Sequence, residues 1–382
     1  MNSGFRIARL DCHVYRAPIA TPVQTSFGIM RDRPMVLVRA EDTDGCFGWG
    51  EVWCNFPGVG AEHRARLIDS VLAPLLLAGT FASPRDAFAH LERATEILAI
   101  QSAEYGPIAQ SIAGIDLALW DLAARRQSLP LWKLLGGDSD SVAAYASGLN
   151  PTAPETVALR CFAAGYRAFK LKIGFGNDID LANLARLRDV LGPDVTLMAD
   201  ANQGWALEKA REQMALLRPF ELGWLEEPLR ADRPQAEWSE LSALGIPLAA
   251  GENMASDAAF SDAIRAGALS IIQPDVAKWG GITKCFPIAQ DIIAAGLRYC
   301  PHYLGGGIGL LASAHCLAAA GGDGMLEIDG NANPLRTLLC APFDHLADGR
   351  VSLGHGAGLG VASLPEALQA FEVPYQSAVW AG

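Results

Sequence analysis

Apolar and polar positions follow two different rhythms along the chain. In the first part, alternation at period two marks strands over Ile7–Tyr15, Met35–Ala40 and Cys46–Glu51, with Asp44-Gly45 as a hairpin turn. Helical spacing then takes over at Glu62–Leu77, Pro84–Leu98 and Ile108–Arg126, the last reading Ile115-Asp-Leu-Ala-Leu-Trp-Asp-Leu-Ala. Leu135-Gly136-Gly137 breaks the pattern. Strands followed by helices predict an α+β domain over residues 1–130.

From about Ser141 the rhythm changes, and short apolar runs alternate with helix-sized intervals. Strands are expected at Ala168–Ile173, Val195–Ala199, Trp224–Leu225, Leu248–Ala250, Ser270–Gln273, Arg298–Cys300 and Met325–Ile328. The intervening helices end at Gly165, Gly192, Gly245 and Gly296, where glycine readily takes the left-handed conformation that closes a helix. Repeating βα units over 131–360 predict a (β/α) barrel. A doubly wound open sheet is the alternative. It is less favoured because polar residues follow nearly every strand, and a closed ring gathers them at one mouth. The tail, 361–382, is expected to pack back onto the first domain.

Composition narrows the function. The chain has 382 residues, 51% of them hydrophobic, enough for a substantial core. Its net charge of −12, with scattered Lys and Arg, offers no basic stripe for nucleic acid. Eight cysteines include no C-x-x-C pair, and no apolar run is long enough to span a bilayer. No basic-then-apolar leader opens the chain, so a reduced cytoplasmic setting is expected.

The chemistry is carried by a ladder of carboxylates. Asp200, Glu226 and Glu252 each close an apolar run: Val195-Thr-Leu-Met-Ala-Asp200, Gly223-Trp-Leu-Glu226 and Ile246-Pro-Leu-Ala-Ala-Gly-Glu252. Both intervals are 26 residues, the length of a βα unit. Three buried carboxylates need a compensating cation, and hard oxygen donors point to Mg²⁺ rather than zinc. Upstream, Lys170 and Lys172 share one face of Phe169-Lys-Leu-Lys-Ile173. Two adjacent ammonium groups are expected to lower a lysine pKa toward that of a general base. Downstream, Asp275 and His302 close successive strands and are expected to pair, orienting the imidazole. Glu327 closes the next strand, as a site residue or as an ordinary salt-bridge partner. Glu227 is expected to point away from Glu226 by alternation, and Asn202 to share the face of Asp200. His13, His63, His90 and His315 read as structural.

Together these residues resemble the enolase superfamily, and within it the mandelate racemase subgroup. The matching motifs are Lys170-x-Lys172, Asp200-Ala-Asn202, Glu226-Glu-Pro228, Gly251-Glu-Asn253, Pro274-Asp275-x-x-Lys278-x-Gly-Gly, His302 and Leu326-Glu327. Each is weak alone; seven in order are specific. The muconate cycloisomerase and dipeptide epimerase branch is similar in its Thr25-Ser-Phe-Gly28 loop, but carries a lysine where Asp275 stands. The resemblance implies a (β/α)7β barrel closed by an N-terminal α+β capping domain. It also implies Mg²⁺ on Asp200, Glu226 and Glu252, stabilising the enediolate formed when the proton α to a carboxylate is removed. Lys172 is then the base and His302, held by Asp275, the group on the other face. Lys170 tunes Lys172 and touches the carboxylate; Glu327, if protonated, donates to the enolate oxygen. Asn202, Lys278, Phe27 and Trp53 are candidate substrate contacts, the last two in cap loops Thr21–Asp32 and Trp53–Gly60 that also carry Met30 and Phe56. The expected reaction is dehydration of an acid sugar, with racemisation or epimerisation as the alternative. A Schiff-base aldolase and an inactive binding protein are remoter readings. The expected partner is a small carboxylate, in a homo-oligomer, with neither nucleic acid nor membrane.

Overall fold

The computed structural model describes residues 4–24 and 28–375. Three antiparallel strands open it: β1 (Ile7–Gln24), β2 (Ile29–Asp42) and β3 (Phe47–Val52), in the order β1-β2-β3. The first two run well beyond the alternation seen in sequence. The segment expected as loop Thr21–Asp32 is largely strand, with Val23 opposite Met30. Helix Tyr105–Arg126 packs its long buried face on this sheet, joining Val36, Val38, Ile112, Ile115, Leu119 and Leu122 in one apolar core. The expected helix Glu62–Leu77 forms in two pieces, Gly60–Leu67 and Ala73–Leu77, joined by a wider turn.

Eight parallel strands follow: β4 (Ser141–Leu149), β5 (Ala168–Lys172), β6 (Thr196–Asp200), β7 (Leu225–Glu226), β8 (Leu248–Ala250), β9 (Ile271–Ile272), β10 (Arg298–Tyr299) and β11 (Met325–Asp329). Consecutive strands pair from β4 to β10, and β11 pairs with β4. Seven helices lie between the eight strands, so the barrel is (β/α)7β. Across the seam between β10 and β11, Met325 N–H reaches Cys300 Sγ at 3.3 Å. A short β12 (Arg350–Ser352) adds antiparallel to β4. The doubly wound alternative is thereby excluded. At the tail, Val373 N–H donates to the Val14 carbonyl, and Tyr375 Oη meets the Cys12 carbonyl and Asp69.

Alternation along the strands stratifies the barrel interior. Tyr145, Ala168, Met198, Trp224, Ala249, Ile271 and Cys300 form an apolar floor, with the Tyr145 and Trp224 rings edge to face at 5.3 Å. Two residues further along these strands come Ser147, Lys170, Asp200, Glu226, Gln273 and His302, all buried. The polar layer therefore sits at the C-terminal ends of the strands, the end where barrel enzymes carry their sites. Among the described residues no helix is long and apolar enough to cross a membrane.

Candidate active site

Pairing registers set the first contacts. Lys172 is opposite Asp200, and Asp200 is opposite Glu226. Lys172 Nζ lies 3.2 Å from Asp200 Oδ2 and 2.8 Å from Asn202 Oδ1, while Asn202 Nδ2 donates back to Asp200 at 2.8 Å. Asn202 reaches this position from a left-handed backbone (φ 43°) just past β6, not from continued alternation. Burial pulls the Lys172 amine down most and Lys170 adds to that, yet Asp200, Glu327 and Glu252 together outweigh them and leave its pKa above the ordinary value. The neighbouring lysine does pull the amine down as expected, but the surrounding carboxylates outweigh it in this arrangement.

Lys170 lies one layer deeper. It is 2% exposed, 2.5 Å from Glu226 Oε1 and 2.8 Å from Glu327 Oε1, over the Tyr145 ring. It bridges two carboxylates beneath the mouth and is not among the residues that line the cavity. Burial raises the Glu327 carboxyl, but Lys170 and His302 together hold it below the usual range, so here it accepts rather than donates. The expected donor role of Glu327 is not its state in this arrangement.

On the far side, His302 Nδ1 is 2.7 Å from Asp275 Oδ2, the expected pair, and Nε2 is 3.0 Å from Glu252 Oε2. Asp275 is itself fixed by the Ala277 and Lys278 amides. Burial disfavours the imidazolium, but Glu252, Glu327 and the Asp275 bond raise its pKa well above the ordinary value. Lys278 Nζ meets Asn253 Oδ1 at 2.7 Å and Glu252 at 3.3 Å, over the Trp53 ring.

Glu226 turns inward, held by Lys170, the Trp224 indole N–H at 3.1 Å and Gln273 at 2.7 Å. Burial pushes its carboxyl up to about 7 against the pull of Lys170. Glu227 takes φ 40° and leaves the strand pattern, accepting Asn253 Nδ2 at 2.8 and 3.0 Å. The two side chains do part, through a left-handed residue rather than through alternation. Glu227→Gln keeps an acceptor for Asn253, which itself donates to Glu252, so Mg²⁺ affinity is expected to fall by no more than the ~10–100-fold of a group that acts through a ligand. Glu226→Gln should cost far more; a larger loss for Glu227 by titration calorimetry would reverse the assignment.

Lys172, Asp200, Asn202, Glu252, Lys278, His302 and Glu327 line one cavity of about 280 Å³. Trp53, Asn55 and Phe56 close it from the N-terminal part. Met30 is instead packed against Arg33, and Phe27 lies outside the described residues. Asp329, also lining the cavity, was not singled out in the sequence; it is tied to Arg33 of β2. Among the described residues, no three His, Cys, Asp or Glu side chains are gathered closely enough to hold a metal; Asp200, Glu226 and Glu252 each lean on a lysine or histidine instead. His315 accepts the Trp132 amide in the core, while His13 and His63 pair with Glu372 and Glu104, as structural histidines do.

Residues 10–136 match the mandelate racemase/muconate lactonizing enzyme N-terminal domain, and residues 155–367 the enolase C-terminal domain-like family. The chain belongs to the mandelate racemase/muconate lactonizing enzyme family of the enolase superfamily. It is 30% identical over 390 residues to the D-galactarolactone cycloisomerase of Agrobacterium fabrum, covering 97% of this chain and 99% of that protein. Other relatives are named arabinonate, D-galactonate and L-talarate/galactarate dehydratases. A solved mandelate racemase/muconate lactonizing enzyme from Bordetella bronchiseptica RB50 matches with TM-score 0.91 at 55% identity, over 96% of this chain and 99% of that one. An L-talarate dehydratase from Polaromonas sp. JS666, solved with Mg and L-glucarate, matches with TM-score 0.78 at 27% identity, over 97% and 98%.

Proposed function

We propose that this chain removes the proton α to the carboxylate of an acid sugar and expels the β-hydroxyl as water, with Mg²⁺ held by Asp200, Glu226 and Glu252. One observation carries the reading. Lys172 and the Asp275-held His302 line a single cavity, on strands separated by the seam side of the barrel, with Asp200 and Glu252 also on its wall. A base and an acid that flank one carbon can break its C–H bond and the neighbouring C–O bond.

The donor set suits the cation. It is all carboxylate oxygen, from the ends of three adjacent strands, two of the groups buried and Glu252 partly so, and lysine and histidine side chains now supply the positive charge they need. When bound, Mg²⁺ neutralises the charge that develops on the substrate carboxylate. Lys172 Nζ takes the α-proton, and the C–H electron pair passes into the enediolate. As the Cα–Cβ double bond forms, the β C–O bond breaks and His302 Nε2 protonates the departing oxygen. The enol product tautomerises to a 2-keto-3-deoxy acid. Asn202 holds Lys172 toward the cavity, and Lys278 and Trp53 bind the substrate on the opposite wall.

The test is a panel of hexonates, hexarates and α-substituted carboxylates incubated with enzyme and Mg²⁺ in D₂O. Keto-acid formation with α-deuteration is expected for a subset. Borohydride trapping of a substrate on a barrel lysine, with no α-exchange in the panel, would replace the reading with an aldolase. The similarity to a cycloisomerase over nearly the whole chain favours one variant, in which the departing oxygen belongs to a ring of the substrate. Racemisation, in which the two groups exchange one proton, shows instead as deuteration without keto acid.

A further inference from the structure

His302 is held in part from outside the barrel. In β3, Gly48 and Gly50 face helix Tyr105–Arg126 so closely that a Cβ at Gly50 would stand 2.0 Å from the Gly114 carbonyl. Alternation turns Glu51 the other way. Its carboxylate, on a residue 2% exposed, accepts the Gly306 and Gly309 amides, the latter at 2.9 Å. These amides open helix Gly307–Ala320, directly after the loop that carries His302. A Cβ at Gly306 would stand 2.2 Å from Met35 Sδ and 2.9 Å from Glu51 Oε1, so a larger residue here would have to displace both side chains. Asn55 Nδ2 adds a bond to the Leu304 carbonyl at 2.6 Å.

A second carboxylate of the same sheet-and-helix layer repeats the device one βα unit earlier. Asp116, 1% exposed, accepts Thr283 N–H at 2.9 Å and Thr283 Oγ1 at 2.7 Å, in the first turn of helix Gly281–Ala294. A Cβ at Gly281 would stand 2.3 Å from Asp116 Oδ2. Beside it, Trp53 N–H donates to the Ala277 carbonyl, two residues past Asp275. The helix ends in question offer unpaired amides and a favourable dipole, which makes burial of these anions tolerable. Neither carboxylate lines the cavity.

We infer that Glu51 and Asp116 are positioning residues for the Asp275–His302 pair, through which docking of the N-terminal layer sets the acid side of the site. Lys172, on β5, is held by Asp200 and Asn202 within the barrel. The two halves of the reaction therefore depend on different parts of the chain. This rests on the proposed β-elimination with Lys172 as base.

The test uses full-length enzyme with Mg²⁺ in D₂O, with D-galactonate and galactarate as first probes and then the wider panel. Glu51→Gln is expected to lose keto-acid formation ~10–100-fold while α-deuteration stays within about threefold of wild type. Thr283→Val should move the same ratio in the same direction by less, and keeps the test open if Glu51→Gln does not fold. Parallel loss of both activities, or an unchanged ratio, overturns the inference. His302→Asn is run alongside. If it fails to split exchange from elimination, the functional reading has failed; if it splits them and the positioning variants do not, only this inference has. A second readout needs no substrate. The imidazole N–H resonance that His302→Asn removes should shift in Glu51→Gln and Thr283→Val; an unmoved resonance overturns the positioning role.

Discussion

Lys172→Ala is expected to abolish α-deuteration and product formation together, each by ~10²–10⁴-fold. Among the described residues lining the cavity, the other lysine is Lys278, which sits with Asn253 and Glu252 on the opposite wall. Lys170 cannot substitute, because it lies below the cavity, between Glu226 and Glu327. His302→Asn should behave differently. It removes the proton donor for the leaving group yet leaves Lys172, Asp200 and Asn202 in place, so α-deuteration should persist while keto acid is lost. Were the enzyme a racemase, each variant would instead retain exchange of a single enantiomer. Normal turnover in His302→Asn would remove that residue from the mechanism and leave a lysine-only reaction.

Much of this site is written locally in the chain, and the parts that are not share one cause. Asp200, Glu226 and Glu252 end apolar runs at a fixed interval, and Lys170 and Lys172 are two apart on one strand; both patterns survive without tertiary information. Periodicity tells which face a side chain takes but not its depth, so Lys170 and Lys172 read alike although one is beneath the mouth and the other in it. The left-handed residues Asn202 and Glu227 follow the strand ends, where alternation no longer applies. β4 is rich in alanine and serine, β12 has three residues, and neither carries a strong strand signal. Glu51 and Asp116 went unread because their partners lie 255 and 167 residues away. The traces they leave in sequence are the glycine runs after His302 and Asp275, within which Gly305 and Gly306 lie against Glu51 and Gly281 against Asp116.

Chelation is expected to abolish activity, and added Mg²⁺ to restore it, with Glu226→Gln losing both turnover and metal binding. The reason is charge. Asp200, Glu226 and Glu327 are buried around the site with Glu252 partly buried beside them, and Lys170, Lys172, Lys278 and His302 now pair with them. That balance holds the carboxylates together but engages both catalytic nitrogens: Lys172 is tied to Asp200 and His302 Nε2 to Glu252. A base must be uncharged when it takes a proton, so removing one positive charge from this cluster leaves an excess of buried anion, which is costly. A divalent cation on Asp200, Glu226 and Glu252 supplies that charge from the carboxylate side. Glu226 is the most exacting of the three, since Trp224 and Gln273 already fix one of its oxygens. Replacing it by glutamine should reduce Mg²⁺ affinity more than 100-fold, beyond the ~10–100-fold typical of groups that act only through a ligand. Titration calorimetry of wild type and variant gives the affinity independently of activity. Full activity after exhaustive chelation, or undiminished Mg²⁺ binding in Glu226→Gln, would show that these carboxylates serve the lysines alone.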